Sequence, residues 1–343
     1  MPNRLGKSIG QQIDEARLNA ATYAMHGVVT RVYADDHLLA LSIQDFLRPF
    51  RGLPGEKADL EFYLLTRQPG FDLDPGDHGG NGELLYDWSV LRYKGEGELR
   101  YQEVPGAGAV IADLDAGLAV AFVENDMAAC SWSVAHVIFF PIWAQMLKTR
   151  GMFPVHAAGL ERNGKGILFP GKSGCGKSTL SLHLLRHGYR LLGDDTVFVR
   201  RGAGAGGAEM LFFPEEVDVC PETVDLYPQL ALARNLTEDH WQPKARVNLN
   251  DVGPELVAER SGTDFLVFPV IAKDGKTRYE EVGSTEALAE LILYAFLFMD
   301  PRTSRENFAL LAALVQSVKC YRLHMGLDGA ELAGAVDEIV AAA

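Results

Sequence analysis

The octapeptide Gly171-Lys172-Ser173-Gly174-Cys175-Gly176-Lys177-Ser178 fits the pattern G-x-x-x-x-G-K-[ST], and no other segment constrains the fold as tightly. Such a loop works between a buried strand and a helix. Its glycines let the backbone turn and bring N–H groups against phosphate oxygens. The helix that follows aims the positive end of its dipole at the same anion. The flanks meet both demands. Ile167-Leu168-Phe169 reads as a short buried strand, Thr179–His187 as a helix with Leu180, Leu184 and Leu185 on one side, and Gly188 as its terminating glycine. The reading is a P-loop for a nucleoside triphosphate, ATP with Mg²⁺. Gly171, Lys172, Ser173, Gly174, Cys175, Gly176, Lys177, Ser178 and Thr179 are the ATP-binding residues. Lys177 would reach the β and γ phosphates, and the Ser178 hydroxyl would coordinate Mg²⁺.

Two further features lie close by. The run Tyr189–Leu192 reads as a strand ending in Gly193-Asp194-Asp195. As a parallel neighbour of the P-loop strand it would deliver both carboxylates to the sheet edge where ligands bind in open α/β folds. One aspartate would hold Mg²⁺ and the other would take a proton from an attacking hydroxyl. Ser178 and Asp194 are the metal-side candidates, and the division of roles within the pair stays open. The competing reading is a solvated turn, since Gly-Asp-Asp is good turn chemistry. His156 lies upstream, in Pro154-Val155-His156-Ala157-Ala158. Pairing of Val155–Leu160 with Gly166–Phe169 around Glu161-Arg162-Asn163-Gly164 would leave His156 one strand from the phosphates. From pattern alone a lone histidine is more often structural than functional.

A chain of 343 residues reads as two domains. Before residue 150 the strand-like runs are Val28–Tyr33, Leu60–Leu65, Leu84–Tyr93, Glu98–Val104, Ala109–Ile111 and Leu118–Val123. Residues 1–25 read as a polar helix or arm, 67–83 as loop and 129–149 as a helix. From Val155 onward short apolar runs alternate with helical periods, which is the α/β pattern. The division expected is therefore 1–150, β-rich and of unknown role, and 151–343, an α/β P-loop domain. Its last elements read as helix 286–299, helix 303–318, strand 320–325 and helix 328–341, and 200–209 as a glycine-rich loop.

The formal net charge of −14 argues against nucleic acid as a partner. Four scattered cysteines with no C-x-x-C pair argue against disulfides or a zinc site. The N-terminus has no apolar signal region, and a cytoplasmic location is expected. Met127–Met146 carries no Asp, Glu, Lys or Arg, but Ser131, Ser133, His136, Pro141 and Gln145 favour a buried helix over a membrane span.

The run 156–199, HAAGLERNGKGILFPGKSGCGKSTLSLHLLRHGYRLLGDDTVFV, resembles the catalytic domain of HPr kinase/phosphorylase. That domain has a histidine, a hairpin, the P-loop, its helix, a short strand and an Asp-Asp pair in this order. The resemblance implies a fold related to ATP-dependent phosphoenolpyruvate carboxykinase. It also implies Mg²⁺-dependent transfer of the γ-phosphoryl of ATP to a protein serine. By position, His156 and Asp194 would stand at the reacting phosphate, with Asp194 and Asp195 sharing the base and metal-side roles. The stretch PEEVDVCPETVDLYPQ (214–229) departs from the family's glycine- and isoleucine-rich signature, so the acceptor is left open among proteins, peptides and small molecules.

Weaker candidates are Lys244 and Arg246, which could clamp the transferring phosphoryl or line a solvated strand edge. Glu215, Glu216 and Trp241 read as an exposed acidic turn and a packing residue. The rivals to a protein kinase are a small-molecule kinase on the same fold and a non-catalytic ATP-binding regulator. Homo-oligomerisation is left open.

Overall fold

The computed structural model describes residues 14–53, 55–66, 83–88, 91–202, 207–213, 217–219, 235–237, 244–247, 254–295 and 300–342. It is a mixed α/β protein in two compact units: Met1–Arg150 with Phe298–Thr303, and Gly151–Leu297 with Ser304–Ala343.

In the first unit, the described strands are β1 (Asn19–Met25), β2 (Val28–Ala34), β3 (Leu60–Thr66), β4 (Glu83–Trp88), β5 (Leu91–Glu96), β6 (Leu99–Val104), β7 (Gly108–Asp113) and β8 (Leu118–Val123). They form one sheet in the order β1-β2-β3-β8-β7-β6-β5-β4. The β2–β3 and β3–β8 pairs are parallel. A parallel pair needs a crossover, and α1 (His37–Phe46) provides it between β2 and β3. Asp36 caps this helix by accepting the Leu38 and Leu39 N–H groups. One sheet face gathers Tyr33, Tyr63, Tyr101, Ile111, Val120 and Phe122 into a core.

Three expectations are corrected here. Residues 19–25 are a strand rather than part of a helix or arm, because Tyr23 and Met25 alternate into the core and pair with β2. The run 84–93 is two strands of a hairpin, β4 and β5. The single helix expected over 129–149 is broken into a π-helical stretch, Ser133–Phe139, and α2 (Phe140–Lys148). Pro141 is the physical reason: it has no N–H to donate back along the helix. Gln102 Nε2 repairs the gap by donating to Val137 O at 2.9 Å and Ile138 O at 3.0 Å. Every residue of α2 is buried, and Trp143 Nε1 donates to Thr30 Oγ1 at 3.0 Å. Among the described residues no helix is long and apolar enough to cross a membrane.

In the second unit the strands are β9 (Phe153–Arg162), β10 (Lys165–Pro170), β11 (Arg190–Gly193), β12 (Thr196–Arg201), β13 (Ala208–Leu211), β14 (Val217–Val219), β15 (Asn235–Thr237), β16 (Lys244–Val247), β17 (Arg260–Gly262), β18 (Phe265–Ile271), β19 (Arg278–Glu281) and β20 (Lys319–Met325). The main sheet runs β17-β13-β12-β9-β10-β18-β20-β19, with β11 also paired to β9. The helices are α3 (Lys177–Arg186), α4 (Ser284–Ile292), α5 (Pro301–Ser317) and α6 (Gly329–Ala341). The sheet is covered on both faces, so its central strands are continuously apolar. Ile167, Phe169, Val267 and Leu323 meet Leu180 and Leu184 of α3 and Val336 and Ile339 of α6. Leu168, Leu266 and Phe268 point the other way, against Leu291 of α4 and Leu311 and Leu314 of α5.

A further expectation is corrected by the register. β11 is not a parallel neighbour of β10; it pairs antiparallel with β9. β12 pairs antiparallel with the other end of β9, so β11 and β12 lie in line along one edge. β16 is the central strand of a separate three-stranded sheet, order β14-β16-β15, rather than a solvated edge. Residues 203–206 of the glycine-rich loop, 296–299 of the expected helix, and Glu215, Glu216 and Trp241 lie outside the described residues.

The Gln102 bridge generates a stability prediction. Gln102→Met keeps the volume but removes the side-chain donor from the partly buried Val137 carbonyl and the buried Ile138 carbonyl. It should lower the free energy of unfolding by about 1–3 kcal/mol in denaturant titration.

Candidate active site

Asn163 and Gly164 both take positive φ and turn β9 back into β10, so the two strands pair from Arg162↔Lys165 to Ala157↔Pro170. The next residue on each strand is His156 on β9 and Gly171, which opens the glycine loop. On the other edge of β9, Thr196 of β12 is the register partner of His156. The register slips by one residue within β11, between Leu191 and Gly193; from there Gly193↔Gly159 and Thr196↔His156 are in step, and Asp194-Asp195 lies between these two pairs. Asp195 O accepts the Ala157 N–H at 3.0 Å. Gly193 is required there, because a Cβ would fall 2.2 Å from Thr196 O. Histidine, glycine loop and aspartate pair are thus brought together by the pairing of β9 on both edges.

Lys177 starts α3 and is only 5% exposed. Its Nζ donates to Gly171 O at 2.7 Å, Lys172 O at 3.2 Å and His156 Nε2 at 3.1 Å. An ammonium has three donors and no acceptor, so His156 Nε2 must be the acceptor. The imidazole proton then sits on Nδ1, which faces Asp195 Oδ2 at 3.3 Å. The result is an ordered line, Lys177–His156–Asp195. The Asp195 side chain is 57% exposed at its outer end.

Asp194 differs from its neighbour. It is buried, and burial pushes its carboxyl from the ordinary 3.8 up to about 6. The Ser178 and Ser181 hydroxyls and the Lys177 charge oppose that rise, and the Asp195 charge adds to it. These hydroxyls lie close enough to act electrostatically. Among the described residues, however, Asp194 Oδ1 and Ser181 Oγ complete no hydrogen bond. A buried carboxylate oxygen with an unused lone pair, beside the Ser178 hydroxyl, is a donor set that suits a hard cation. Magnesium keeps several waters and takes one or two protein oxygens. A cluster of three acidic, histidine or cysteine ligands is therefore not needed, and none occurs among the described residues.

Other neighbours had no sequence signal. Tyr294, just after α4, accepts the His156 N–H on its backbone carbonyl at 2.6 Å. Its phenol is bonded by the Lys172 N–H, while burial raises its pKa. It ties His156 to the glycine loop from a position 138 residues downstream, and spacing could not have revealed it. Ser181 was legible in principle, one helical turn beyond Ser178. His183 is half-buried against Gly329 of α6, a packing role. Lys244 and Arg246 lie on β16 of the small sheet.

The titration of Asp194 gives a testable consequence. An acid whose pKa is raised by folding holds its proton to higher pH in the folded state than in the unfolded chain. Stability therefore falls as pH rises from about 4 to about 6. Asp194→Asn removes that fall. Thermal melts should show the variant more stable than the parent at pH 7, on the order of 3 kcal/mol, with the difference vanishing near pH 4.

Residues 150–210 match the family described as HPr Serine kinase C-terminal domain. The HPr kinase/phosphorylases of Peptoclostridium acidaminophilum and Halalkalibacterium halodurans are each 47% identical over 47 residues, 14% of this chain and 15% of theirs. The chain thus spans only a small part of the length of the curated relatives it matches. The structure of the Hpr(Ser) kinase/phosphatase from Coxiella burnetii aligns over 55% of this chain and 97% of that one, at 13% identity and a TM-score of 0.30. A score that low carries no weight for the fold.

Proposed function

We propose that this chain, HPr-kinase-like in the segment 150–210, is an ATP- and Mg²⁺-dependent phosphotransferase. It moves the γ-phosphoryl of ATP to a hydroxyl acceptor, a serine of a protein or peptide. The observation that carries the reading is the Lys177–His156–Asp195 line beside buried Asp194, all at the mouth of one glycine loop. The reading places the core among P-loop kinases related to phosphoenolpyruvate carboxykinase, and that relation rests on the resemblance of residues 156–199.

In this reading the loop N–H groups from Gly171 to Thr179 and the Lys177 ammonium hold the phosphates. Lys177 exchanges its carbonyl and imidazole acceptors for phosphate oxygens. Ser178 and Asp194 would hold the metal. Bound Mg²⁺ would supply charge neutralisation on the β and γ phosphates. Asp195 takes the proton of the acceptor hydroxyl as the new O–P bond forms and the bond to the β-phosphate oxygen breaks, releasing ADP. His156 orients Asp195 through Nδ1–H and turns Nε2 toward the transferring group.

The exposure of Asp195 favours a protein or peptide acceptor over a small molecule. A base that must reach a side chain on another macromolecule needs an open rim, whereas a small-molecule kinase encloses its base. The relatives' names pair a kinase with a phosphorylase activity on HPr. HPr is therefore one acceptor to assay, in both directions.

The test is incubation with γ-labelled ATP and lysate from the native host. A labelled protein band is expected, lost with Asp194→Asn and Lys177→Ala. Asp195→Asn should slow transfer by about 10²–10⁴-fold, the usual worth of a positioned base. ATP binding with no transfer to any protein or small molecule would instead favour the regulatory reading.

A further inference from the structure

In the reading above, the γ-phosphoryl end of a nucleotide in the glycine loop would face the β9 side of β10, where His156 and Asp195 lie. Its nucleoside end would then leave toward the opposite side, over the carboxyl ends of β18 and β20. These are the next strands in the sheet, and both run parallel to β10. Beside the exposed Lys273, Asp274 and Lys276, those ends present an apolar strip. Ile271 and Met325 are direct register partners, on the sheet face that carries α3 and α6. Met325 abuts the start of α3, its methyl 2.8 Å from where a Cβ on Gly176 would be. Ile271 is 58% exposed and Leu327 is 92% exposed.

A single exposed leucine needs no explanation. Leu327 differs because its loop is pinned. Ala272 N–H donates to Met325 O at 2.9 Å, and Gly326 N–H donates to Thr277 Oγ1 at 3.2 Å. Gly326 lies so close to the 275–277 backbone that a Cβ would fall 2.5 Å from Gly275 O. The leucine side chain itself rests beside Gly275, 3.9 Å from a Cβ placed there. The backbone thus holds Leu327 out in water, one step beyond Met325, with no core to enter.

We propose that Ile271, Met325 and Leu327 form the shelf on which the base of the bound nucleotide lies. This deepens the nucleotide reading above and rests on it. The base has two apolar faces, and unbranched or flexible side chains such as Met and Leu conform to a flat ring. The proposal commits to the base of the nucleoside triphosphate as occupant, because the shelf is continuous through Met325 and Gly176 with the loop that holds the phosphates.

The experiment compares two probes by calorimetry, Mg·ATP and Mg·tripolyphosphate, which has no base. The unaltered protein should bind both, Mg·ATP more tightly. Leu327→Ser and Ile271→Ser should each weaken Mg·ATP by about five- to tenfold, the worth of one lost apolar contact, and leave Mg·tripolyphosphate unchanged. Leu327→Phe, which offers a ring to stack, should keep or tighten Mg·ATP. Both residues are exposed, so melting temperatures should not move. Unchanged Mg·ATP affinity, or equal weakening of both probes, would overturn the shelf while leaving the loop as a phosphate site. Unchanged Mg·ATP affinity with reduced labelling of a lysate protein would overturn it in favour of an acceptor surface. Binding of neither probe by the unaltered protein would overturn the nucleotide reading and the shelf with it.

Discussion

Strand β9 is paired along both edges, and the second unit is organised around that fact. One edge is filled by β10, which leads into the glycine loop. The other is filled by β11 and β12 in line, with Asp194-Asp195 in the short segment between them. A strand held on both edges cannot slip without breaking two ladders and turning its apolar residues off both faces. His156 therefore has a fixed place between Gly171 and Thr196, and the aspartates have a fixed place beside it. As successive residues of an extended segment the two side chains face opposite ways: Asp194 inward and buried, and Asp195 outward, toward the imidazole and solvent.

That difference in environment separates two identical carboxyl groups. Asp194 loses its water, and its pKa rises accordingly. It stays near Lys177 and Ser178 with one oxygen unused. Asp195 stays solvated. The folded chain thus carries an electrostatic cost at Asp194 that a purely structural residue would not explain, and such unresolved polar atoms concentrate where a ligand completes the set. The line from Lys177 through His156 to Asp195 also specifies the imidazole tautomer, because a lysine ammonium cannot accept a hydrogen bond.

In the first unit the equivalent device is structural. Pro141 interrupts a helix in a fully buried setting, and Gln102 of the adjacent sheet meets the carbonyls left over. Arg100 and Asp300 form a buried bidentate ion pair at 2.6 and 2.8 Å, joined by the Tyr93 hydroxyl at 3.2 Å. Arg100 keeps the Asp300 carboxyl below its usual range despite burial. Residue 300 is remote in sequence from these partners, and no local pattern could have linked them.

What the sequence determined by itself was local. The spacing of glycines, lysine and serine, the Asn163-Gly164 turn, the leucines of α3 and Gly188 behind them specify strand, loop, helix and stop through backbone conformation and one-sided burial alone. The strand at 19–25, the split of 84–93 and the π-helical stretch before Pro141 were missed, since each depends on a partner strand or a distant side chain. The assignment of β11 as a parallel neighbour of β10 failed for the same reason: an apolar tetrapeptide carries no information about which edge it will fill. Only the tertiary structure decided that Asp194 is buried while Asp195 is exposed, that Tyr294 ties His156 to the loop, and that Leu327 stands exposed beside Gly275. The physical reason is common to all of these. Propensity and periodicity act over one turn or one strand, but register, burial and the pKa changes they cause arise only when segments far apart in the chain exclude water from one another.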